Sequence, residues 1–317
     1  MTHERALSMT IYIVNLNPCI DWQYNIPTFV YGGMNRVQRT YAAAAGKGAN
    51  VAVALKNLGQ LPSCIGFNFA DGGEKVREKF DRAGIPHDFD TIAGAVRVNI
   101  KLYEETTGTM TEMNQPGAFV PEIYVHRLEA KVGKLQSKDG ILVLSGSLPA
   151  GVPPNIYARL AGLWQGKVYL DAEGEPLRLA LAAGRKPYAI KPNLYELESV
   201  FGVKLPTPKA VADFCRENIH GVPVICVSMG AAGAVLVTPG GAYFSPALNI
   251  PVKGVQGAGD SMVAGLIHGE LCGMTAPDLL RFAMAAAAGS VIRDGTDLCR
   301  RGDFCAMLEN LPPPQDI

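Results

Sequence analysis

The segment Gly257-Ala258-Gly259-Asp260-Ser261, followed by the apolar run 262–267, has the composition of a glycine-rich loop that opens a helix. Such a loop leaves backbone N–H groups free to point at an anion, and the helix dipole adds a favourable field at the same place. A carboxylate there does not neutralise a phosphate; the chemistry open to it is acceptance of a proton. Asp260 serves equally well as an ordinary N-cap, so this segment by itself leaves both readings standing.

A second glycine cluster, Gly46-Lys47-Gly48-Ala49-Asn50, precedes the amphipathic pattern Val51, Val53, Ala54, Leu55 and Leu58, and also reads as a loop entering a helix. Neither G-x-x-x-x-G-K-[ST] nor G-x-G-x-x-G occurs, which sets aside a Walker loop and a dinucleotide fingerprint. Lys191-Pro192-Asn193-Leu194-Tyr195-Glu196 ends a strand and begins a helix, with Asn193 and Glu196 on one face. That pair forms a capping box, or else supplies hard oxygens near magnesium, an ion that keeps most of its waters and takes few protein ligands. Arg97, Asn99 and Lys101 alternate along one strand and share a face. Two cations and an amide there suit a phosphate or sugar hydroxyls, and a solvated face is the plainer account. Asp21, behind Asn15-Leu16-Asn17-Pro18, is a carboxylate near a strand end, suited to sugar hydroxyls or simply to a turn.

Positioning these groups is a task for βαβ units. Short apolar runs at 11–16, 141–145, 167–171, 188–191, 222–228 and 234–238 read as strands, and 49–58, 74–83, 121–135, 155–163 and 209–219 read as helices between them. The expected fold is α/β, a sandwich built on a mostly parallel sheet. In such a sheet ligands lie beyond the carboxyl ends of the strands. The polar clusters 15–21, 145–151, 171–174, 191–196 and 228–233 fall there; turn chemistry explains any one of them but all five much less well. Segments 21–45 and 93–115 shift to short alternating patterns such as Val96, Val98, Ile100 and Leu102. These suit exposed antiparallel strands of one small sheet, projecting as a lid or a dimerisation surface.

The chain's 317 residues exceed a typical domain of about 150, yet show no repeat or Pro-rich linker, so one domain over 9–317 is expected, with 1–8 as a loose extension. Its 29 basic residues offset 29 acidic ones, leaving no overall positive field to gather nucleic acid or anionic lipid. The seven cysteines are scattered without C-x-x-C spacing, which argues against a disulfide framework or a zinc site and for a reducing cytoplasm. No apolar run reaches the roughly 20 residues of a membrane span, and 1–8 is too short and polar for a signal peptide.

With these segments in view, the chain resembles the PfkB family of ribokinase-like sugar kinases from Met9 onward. Asn193 and Glu196 look like the family's N-x-x-E magnesium motif, and Gly257 to Asp260 look like its anion hole and catalytic base. AGKGAN (45–50) lies upstream and SMGAAG (228–233) between them. VNLNPCID, VRVNIKLYE, LSGSLPAGVP and QGAGDSMVAGLIHG are most similar to the bacterial 1-phosphofructokinase branch. The tagatose-6-phosphate kinase and minor 6-phosphofructokinase branches are near relatives, and Asn35-Arg36-Val37-Gln38 leans toward the tagatose branch. Arg97-Val98-Asn99-Ile100-Lys101 resembles the R-I-N-V-K of the first branch. Ala45-Gly46 stands where the family has a glycine pair, and Gly254-Val255 where it commonly has Asp-Thr, a change that bears on any monovalent-cation site built there.

The resemblance implies a three-layer α/β/α fold with a lid sheet, ATP and Mg2+ as cofactors, and a small phosphosugar as substrate, fructose 1-phosphate foremost. It implies Asp260 as general base, with the Gly257, Ala258 and Gly259 amides stabilising the transferring phosphoryl group. Arg97, Lys101 and Lys47 would hold the sugar's phosphate, and Asp21, Gly46, Asn50, Asn99 and Ser147 its hydroxyls. Lys191, Asn193, Ser228, Gly230 and Gly233, with Gly257 and Gly259, would line the nucleotide cleft, and Asn193 and Glu196 would hold magnesium through water. A homodimer through the lid sheet is a further expectation. The alternatives are tagatose 6-phosphate or fructose 6-phosphate as acceptor, and a non-catalytic sugar-phosphate-binding regulator on the same fold.

Overall fold

The computed structural model describes residues 9–135, 137–293 and 297–317; the extension expected over 1–8 lies outside them. The chain runs β1 (Ile11–Asn15), β2 (Cys19–Ile26), β3 (Arg39–Ala45), α1 (Lys47–Asn57), β4 (Pro62–Asp71), α2 (Gly73–Ala83), β5 (His87–Ala95), β6 (Arg97–Glu104) and β7 (Thr109–Asn114). It continues with α3 (Glu122–Lys134), β8 (Ile141–Ser145), α4 (Ile156–Leu163), β9 (Lys167–Asp171), α5 (Gly174–Ala182), β10 (Ala189–Ile190), α6 (Leu194–Phe201), α7 (Pro208–Asn218) and β11 (Val224–Ser228). Then come β12 (Ala234–Thr238), β13 (Gly241–Ser245), α8 (Ala258–Leu271), α9 (Ala276–Val291), α10 (Arg301–Asn310) and β14 (Gln315–Asp316).

The main sheet has the order β14-β13-β12-β11-β10-β9-β8-β1-β4-β5. Pairing is parallel from β5 to β11 and antiparallel from β11 to β14. Helices cover both sides of it. Strands buried on both faces read as unbroken apolar runs, and every residue of β8 is buried. The chain steps from β1 to β4 on one side and returns to β8 on the other, so the crevice at the end of β1 is the topological switch point. In register, the last residues Asn15, Ser145 and Asp171 lie side by side on three adjacent strands.

Strand ends differ from expectation for backbone reasons. The run read at 222–228 pairs only from Val224, because Pro223 has no N–H to give to the ladder. The run read at 188–191 shortens to Ala189–Ile190, with Pro192 beyond it.

The two alternating segments meet in one small sheet, β3-β2-β6-β7. Two features correct the expectation. Its central pair, β2 and β6, is parallel, with Asp21 opposite Asn99 and Gln23 opposite Lys101, and residues 93–95 belong to β5 of the main sheet. Strand β3 enters directly into α1, which packs on β1, β4 and α8. Helix α8 is buried nearly all round, as befits a helix held between α1 and α9. Among the described residues no helix is long and apolar enough to cross a membrane.

Candidate active site

The carboxyl ends of β1 and β8, the starts of α1 and α8, and the inner face of the small sheet enclose a cavity of about 510 Å³, a size that accepts a small ligand. Two helix N-termini open into it. Gly46 is the N-cap of α1 and Gly257 the N-cap of α8, and no side chain caps either helix. In the first turn of α8, Ser261 N–H bonds Gly257 O at 2.8 Å and Ala258 N–H reaches Val255 O at 3.4 Å. Ala258 N–H is thus loosely engaged, but no side chain among the described residues caps either helix, and uncapped helix N-termini are the arrangement that binds anions. Gly257 is required where it is: its φ is 72°, and a Cβ would lie 2.3 Å from Leu298 Cδ2.

Asp260 sits in the first turn of α8, only 6% exposed. Its Oδ2 accepts from Asn50 Nδ2 at 2.8 Å. Burial raises its proton affinity, the neighbouring Asp171 raises it further, and Lys47, the Asn50 bond and Lys191 partly oppose them; the result is pushed up to about 6. Deeper in the cleft, Asp171 Oδ1 receives Lys47 Nζ and Lys191 Nζ, each at 3.4 Å. Burial works against ionisation of Asp171, yet Lys191 and Lys47 outweigh it and hold its carboxyl below the usual range. Lys47 also stands 3.7 Å from Glu196 Oε1. Burial pulls the Lys47 ammonium down, and Asp171, Glu196 and Asp260 more than reverse this.

On the small sheet the shared face is not solvated. Asp21 Oδ1 accepts from Asn99 Nδ2 at 2.9 Å, and Lys101 Nζ lies 3.4 Å from Asp21 Oδ2 and 3.3 Å from Glu112 Oε1. Arg97 gives Nε to Asn17 O and Nη1 to Asn99 Oδ1 and Gln115 O, leaving its other terminal nitrogen without a partner among the described residues. Ser147 Oγ accepts from Asn17 Nδ2.

The structure thus brings Asp21, Gly46, Lys47, Asn50, Arg97, Asn99, Lys101, Ser147, Glu196, Gly257 and Asp260 to one cavity wall. Lys191 joins through Asp171, and its Nζ would lie 3.3 Å from a Cβ built on Gly259. Asn193, Ser228, Gly230 and Gly233 form an adjoining group outside that wall. Asn193 and Ser228 pair as an isolated bridge, Met229 N–H bonds Gly233 O, and Gly233 N–H bonds Gly230 O.

Asn193 and Glu196 do form a capping box: Asn193 Oδ1 accepts from Glu196 N at 2.7 Å and Glu196 Oε2 from Asn193 N at 2.8 Å. This commits Asn193 Oδ1 and one Glu196 oxygen but leaves Glu196 Oε1 facing the cleft. Asp171 Oδ2 is buried without a hydrogen-bond partner among the described residues. Two hard oxygens at the cleft floor fit a magnesium ion that keeps most of its water.

Asp171 was not singled out as a site residue from sequence. Its signal is an acid ending a strand run buried from Val168 onward. Asn15 Nδ2, Asn17 Oδ1, Ser145 Oγ and Gln256 Nε2 are likewise buried and unpaired at this cleft. Most buried polar groups are hydrogen-bonded, so such a cluster suits a polar ligand or ordered water.

Comparison with known proteins follows from this geometry. The profile described as pfkB family carbohydrate kinase matches residues 9–301. A 1-phosphofructokinase of Borreliella burgdorferi is 33% identical over 308 residues, covering 94% of this chain and 96% of that protein. One from Rhodobacter capsulatus is 33% identical over 317 residues, covering 98% and 95%. Phosphofructokinase-2 from Escherichia coli, solved in complex with fructose-6-phosphate, is 27% identical and superposes with a TM-score of 0.87 over 96% of this chain and 99% of that one.

Proposed function

The chain belongs to the pfkB family of carbohydrate kinases, and from that premise we propose that it transfers the terminal phosphoryl group of ATP to the C6 hydroxyl of fructose 1-phosphate. The observation that carries this reading is Asp260. It is a buried carboxylate with a pKa pushed up to about 6, one oxygen bound to Asn50 and the other without a partner among the described residues, at the mouth of a helix that no side chain caps. A base whose pKa lies near the working pH is typically worth 10²- to 10⁴-fold.

In the reaction, Asp260 Oδ1 takes the hydroxyl proton while the C6 oxygen forms its bond to the γ-phosphorus and the bond to the β–γ bridging oxygen breaks, releasing ADP. The Gly257, Ala258 and Gly259 amides stabilise charge on the moving phosphoryl group, and this positioning dominates, since phosphoryl transfer asks little covalent chemistry of a protein. Glu196, through Oε1 and partly through water, would hold magnesium, with Asn193 keeping Glu196 in place through the capping box, and the ion would neutralise the polyphosphate charge. Lys191, Ser228, Gly230 and Gly233 line the nucleotide side.

The sugar's own phosphate lies away from the reacting centre against Arg97, Lys101 and Lys47, with Asp21, Gly46, Asn50, Asn99 and Ser147 taking hydroxyls. The unpartnered Arg97 nitrogen supports this placement. Fructose 1-phosphate is favoured because two relatives covering nearly the whole chain are 1-phosphofructokinases. Fructose 6-phosphate is the second reading, on the strength of the ligand in the Escherichia coli structure.

Large apolar side chains on the β2–β3 connection, Tyr31 at 94% and Met34 at 82% exposure, with Phe29, Val30 and Tyr41 beside them, support a second copy of this chain as the partner of the small sheet. The seven unpaired thiols support a reducing, cytoplasmic setting.

A coupled ADP assay over fructose 1-phosphate, fructose 6-phosphate, tagatose 6-phosphate and free fructose tests the reading. The highest kcat/KM is expected on fructose 1-phosphate. A preference for another acceptor overturns the substrate assignment, and no ADP from any of them overturns the activity.

A further inference from the structure

Lys79 lies outside the cavity wall yet is wired into it. It projects from α2 beside the buried residues Val76 and Phe80, and its Nζ donates to Ala44 O at 2.7 Å and to Asn50 Oδ1 at 3.0 Å. Asn50 in turn donates from Nδ2 to Asp260 Oδ2 at 2.8 Å. A cation, an amide and the carboxylate at 260 therefore form one hydrogen-bonded chain across three helices.

Both acceptors of Lys79 are neutral, and among the described residues no carboxylate stands within ion-pair distance of it. A charge buried without a counter-ion in contact is costly, and its hydrogen bonds to Ala44 and Asn50 offset that cost in part. What it does follows from donor chemistry. An asparagine amide can present either its oxygen or its nitrogen to a given side, whereas an ammonium can only donate. With Lys79 on one side, Asn50 must turn Oδ1 toward it, which forces Nδ2 toward Asp260. Lys79, which only donates, and the ionised Asp260, which only accepts, thus lock Asn50 in one facing, and Asn50 settles which oxygen of Asp260 is occupied. Oδ1 is left to take a proton.

We propose that Lys79 is a positioning residue for Asp260, acting through Asn50 to hold one carboxylate oxygen and free the other for the sugar hydroxyl. This deepens the kinase reading and rests on it. The polarised amide between them also passes the effect of the positive charge to the carboxylate, since hydrogen bonds in a chain strengthen one another and a bond to the ionised form favours that form. Asp260 also faces Lys47 from α1, Lys191 beyond β10 and Asp171 from β9, while Lys79 faces Cys19 and Asp21 from β2 and Asp297. Burial lowers the Lys79 pKa, and those acidic neighbours together with Asp260 offset only part of the effect. The link therefore weakens where Lys79 loses its proton.

The test uses Lys79→Met, Lys79→Gln and Lys79→Arg in the full chain. The titration of Asp260 is read by NMR on ligand-free protein labelled at aspartate carboxyl carbons, with the signal identified by its loss in Asp260→Asn. In parallel, the pH dependence of kcat is measured on fructose 1-phosphate. Lys79→Met is expected to move the Asp260 midpoint and the acid limb of kcat upward by roughly one pH unit. It should also lower kcat about tenfold with the KM for ATP within twofold. Lys79→Arg should restore both properties, and Lys79→Gln, which donates without charge, should restore kcat more than the midpoint. In an Asn50→Leu background, adding Lys79→Met should move the midpoint no further.

An unchanged midpoint and pH profile in Lys79→Met, or an equal further shift in the Asn50→Leu background, overturns the proposal. If Lys79→Met does not fold, Lys79→Gln and Lys79→Arg carry the same comparison. A wild type that makes no ADP but whose Asp260 midpoint follows Lys79 sinks the kinase reading alone; active enzyme indifferent to Lys79 sinks this inference alone.

Discussion

Asp171 and Asp260 are two buried carboxylates of one cleft, driven in opposite directions. Burial and the charge of Asp171 push Asp260 up to about 6, whereas Lys191 and Lys47 hold Asp171 below its ordinary range despite its burial. Environments that separate two like groups in this way assign their chemistry: one carboxylate stays an anion that fixes cations, and the other is poised to exchange a proton near neutrality.

The direction of the Asp260 shift has opposite consequences for turnover and for stability. A general base must be ionised, so kcat is expected to be full above about pH 7 and to fall on an acid limb near pH 6. A pH–rate profile that stays flat down to pH 5 removes Asp260 from the role of base.

For folding, the native state holds the Asp260 proton more tightly than the unfolded chain, whose carboxyl has the ordinary value of 3.8. Stability therefore decreases as pH rises from about 4 to about 6, and the ionised group costs on the order of 3 kcal/mol at neutral pH. Asp260→Asn can still accept from Asn50 and carries no charge. It is expected to raise the melting temperature at pH 8, to leave it nearly unchanged at pH 4.5, and to bring kcat below a tenth of wild type with ATP binding nearly intact. Retention of more than a tenth of kcat contradicts the assignment.

Asp171 behaves in the reverse sense. Its lowered proton affinity contributes stability above the unfolded value, and this is lost as pH falls through the native one. Asp171 is 1% exposed and Lys191 5%, so Asp171→Asn leaves a buried ammonium short of its counter-ion, and a loss of about 3–5 kcal/mol in urea unfolding is expected. Adding Lys191→Met should recover a large part of it. Equal losses in the single and double variants show that the pair is not what holds this floor of the cleft.

The central strands were legible because strands covered on both faces are apolar runs with few polar positions to confuse the period: 141–145, 167–171 and 234–238 match β8, β9 and β12 residue for residue, although β12 pairs antiparallel. Strands β4 and β5 were missed for opposite reasons. β4 begins with Pro62 and carries Gly66 at its middle, where a Cβ would strike Asn15 O at 2.1 Å. β5 is a sheet edge and so is free to be polar. At the site, glycine loops and capping patterns marked the helix mouths, since those signals are local. Asp171 stood in the polar cluster 171–174 without a role of its own and Lys79 was not marked, because each acquires its meaning from partners over a hundred or nearly thirty residues away.

Arg97 and Lys101 should discriminate for the phosphorylated sugar and not for the nucleotide. Charge-assisted hydrogen bonds are worth about 1.5–3 kcal/mol, so Arg97→Gln and Lys101→Met are each expected to raise the KM for fructose 1-phosphate by roughly 10- to 100-fold while the KM for ATP moves less than threefold. Lys101 also balances Asp21 and Glu112, so its removal turns that wall negative, and Lys101→Met should be the more damaging of the two. Parallel increases in both KM values place these cations on the nucleotide side.

The small sheet supplies Asp21, Arg97, Asn99 and Lys101 to the cavity wall, although its strands belong to a layer separate from the main sheet. A wall of this kind that meets the sugar phosphate gains contacts when the sugar is bound, and closing it excludes water from the γ-phosphate. ATP hydrolysis by the enzyme alone is therefore expected to run at least a hundredfold, to order of magnitude, below phosphoryl transfer to the sugar. An unreactive acceptor, fructose 1-phosphate lacking the C6 hydroxyl, should change the hydrolysis rate by filling the site without consuming the phosphoryl group. Measuring ADP release under the three conditions separates the cases. Equal rates with no sugar, with the deoxy analogue and with fructose 1-phosphate mean that closure is not required for transfer, and the small sheet is then a fixed wall with no role as a lid.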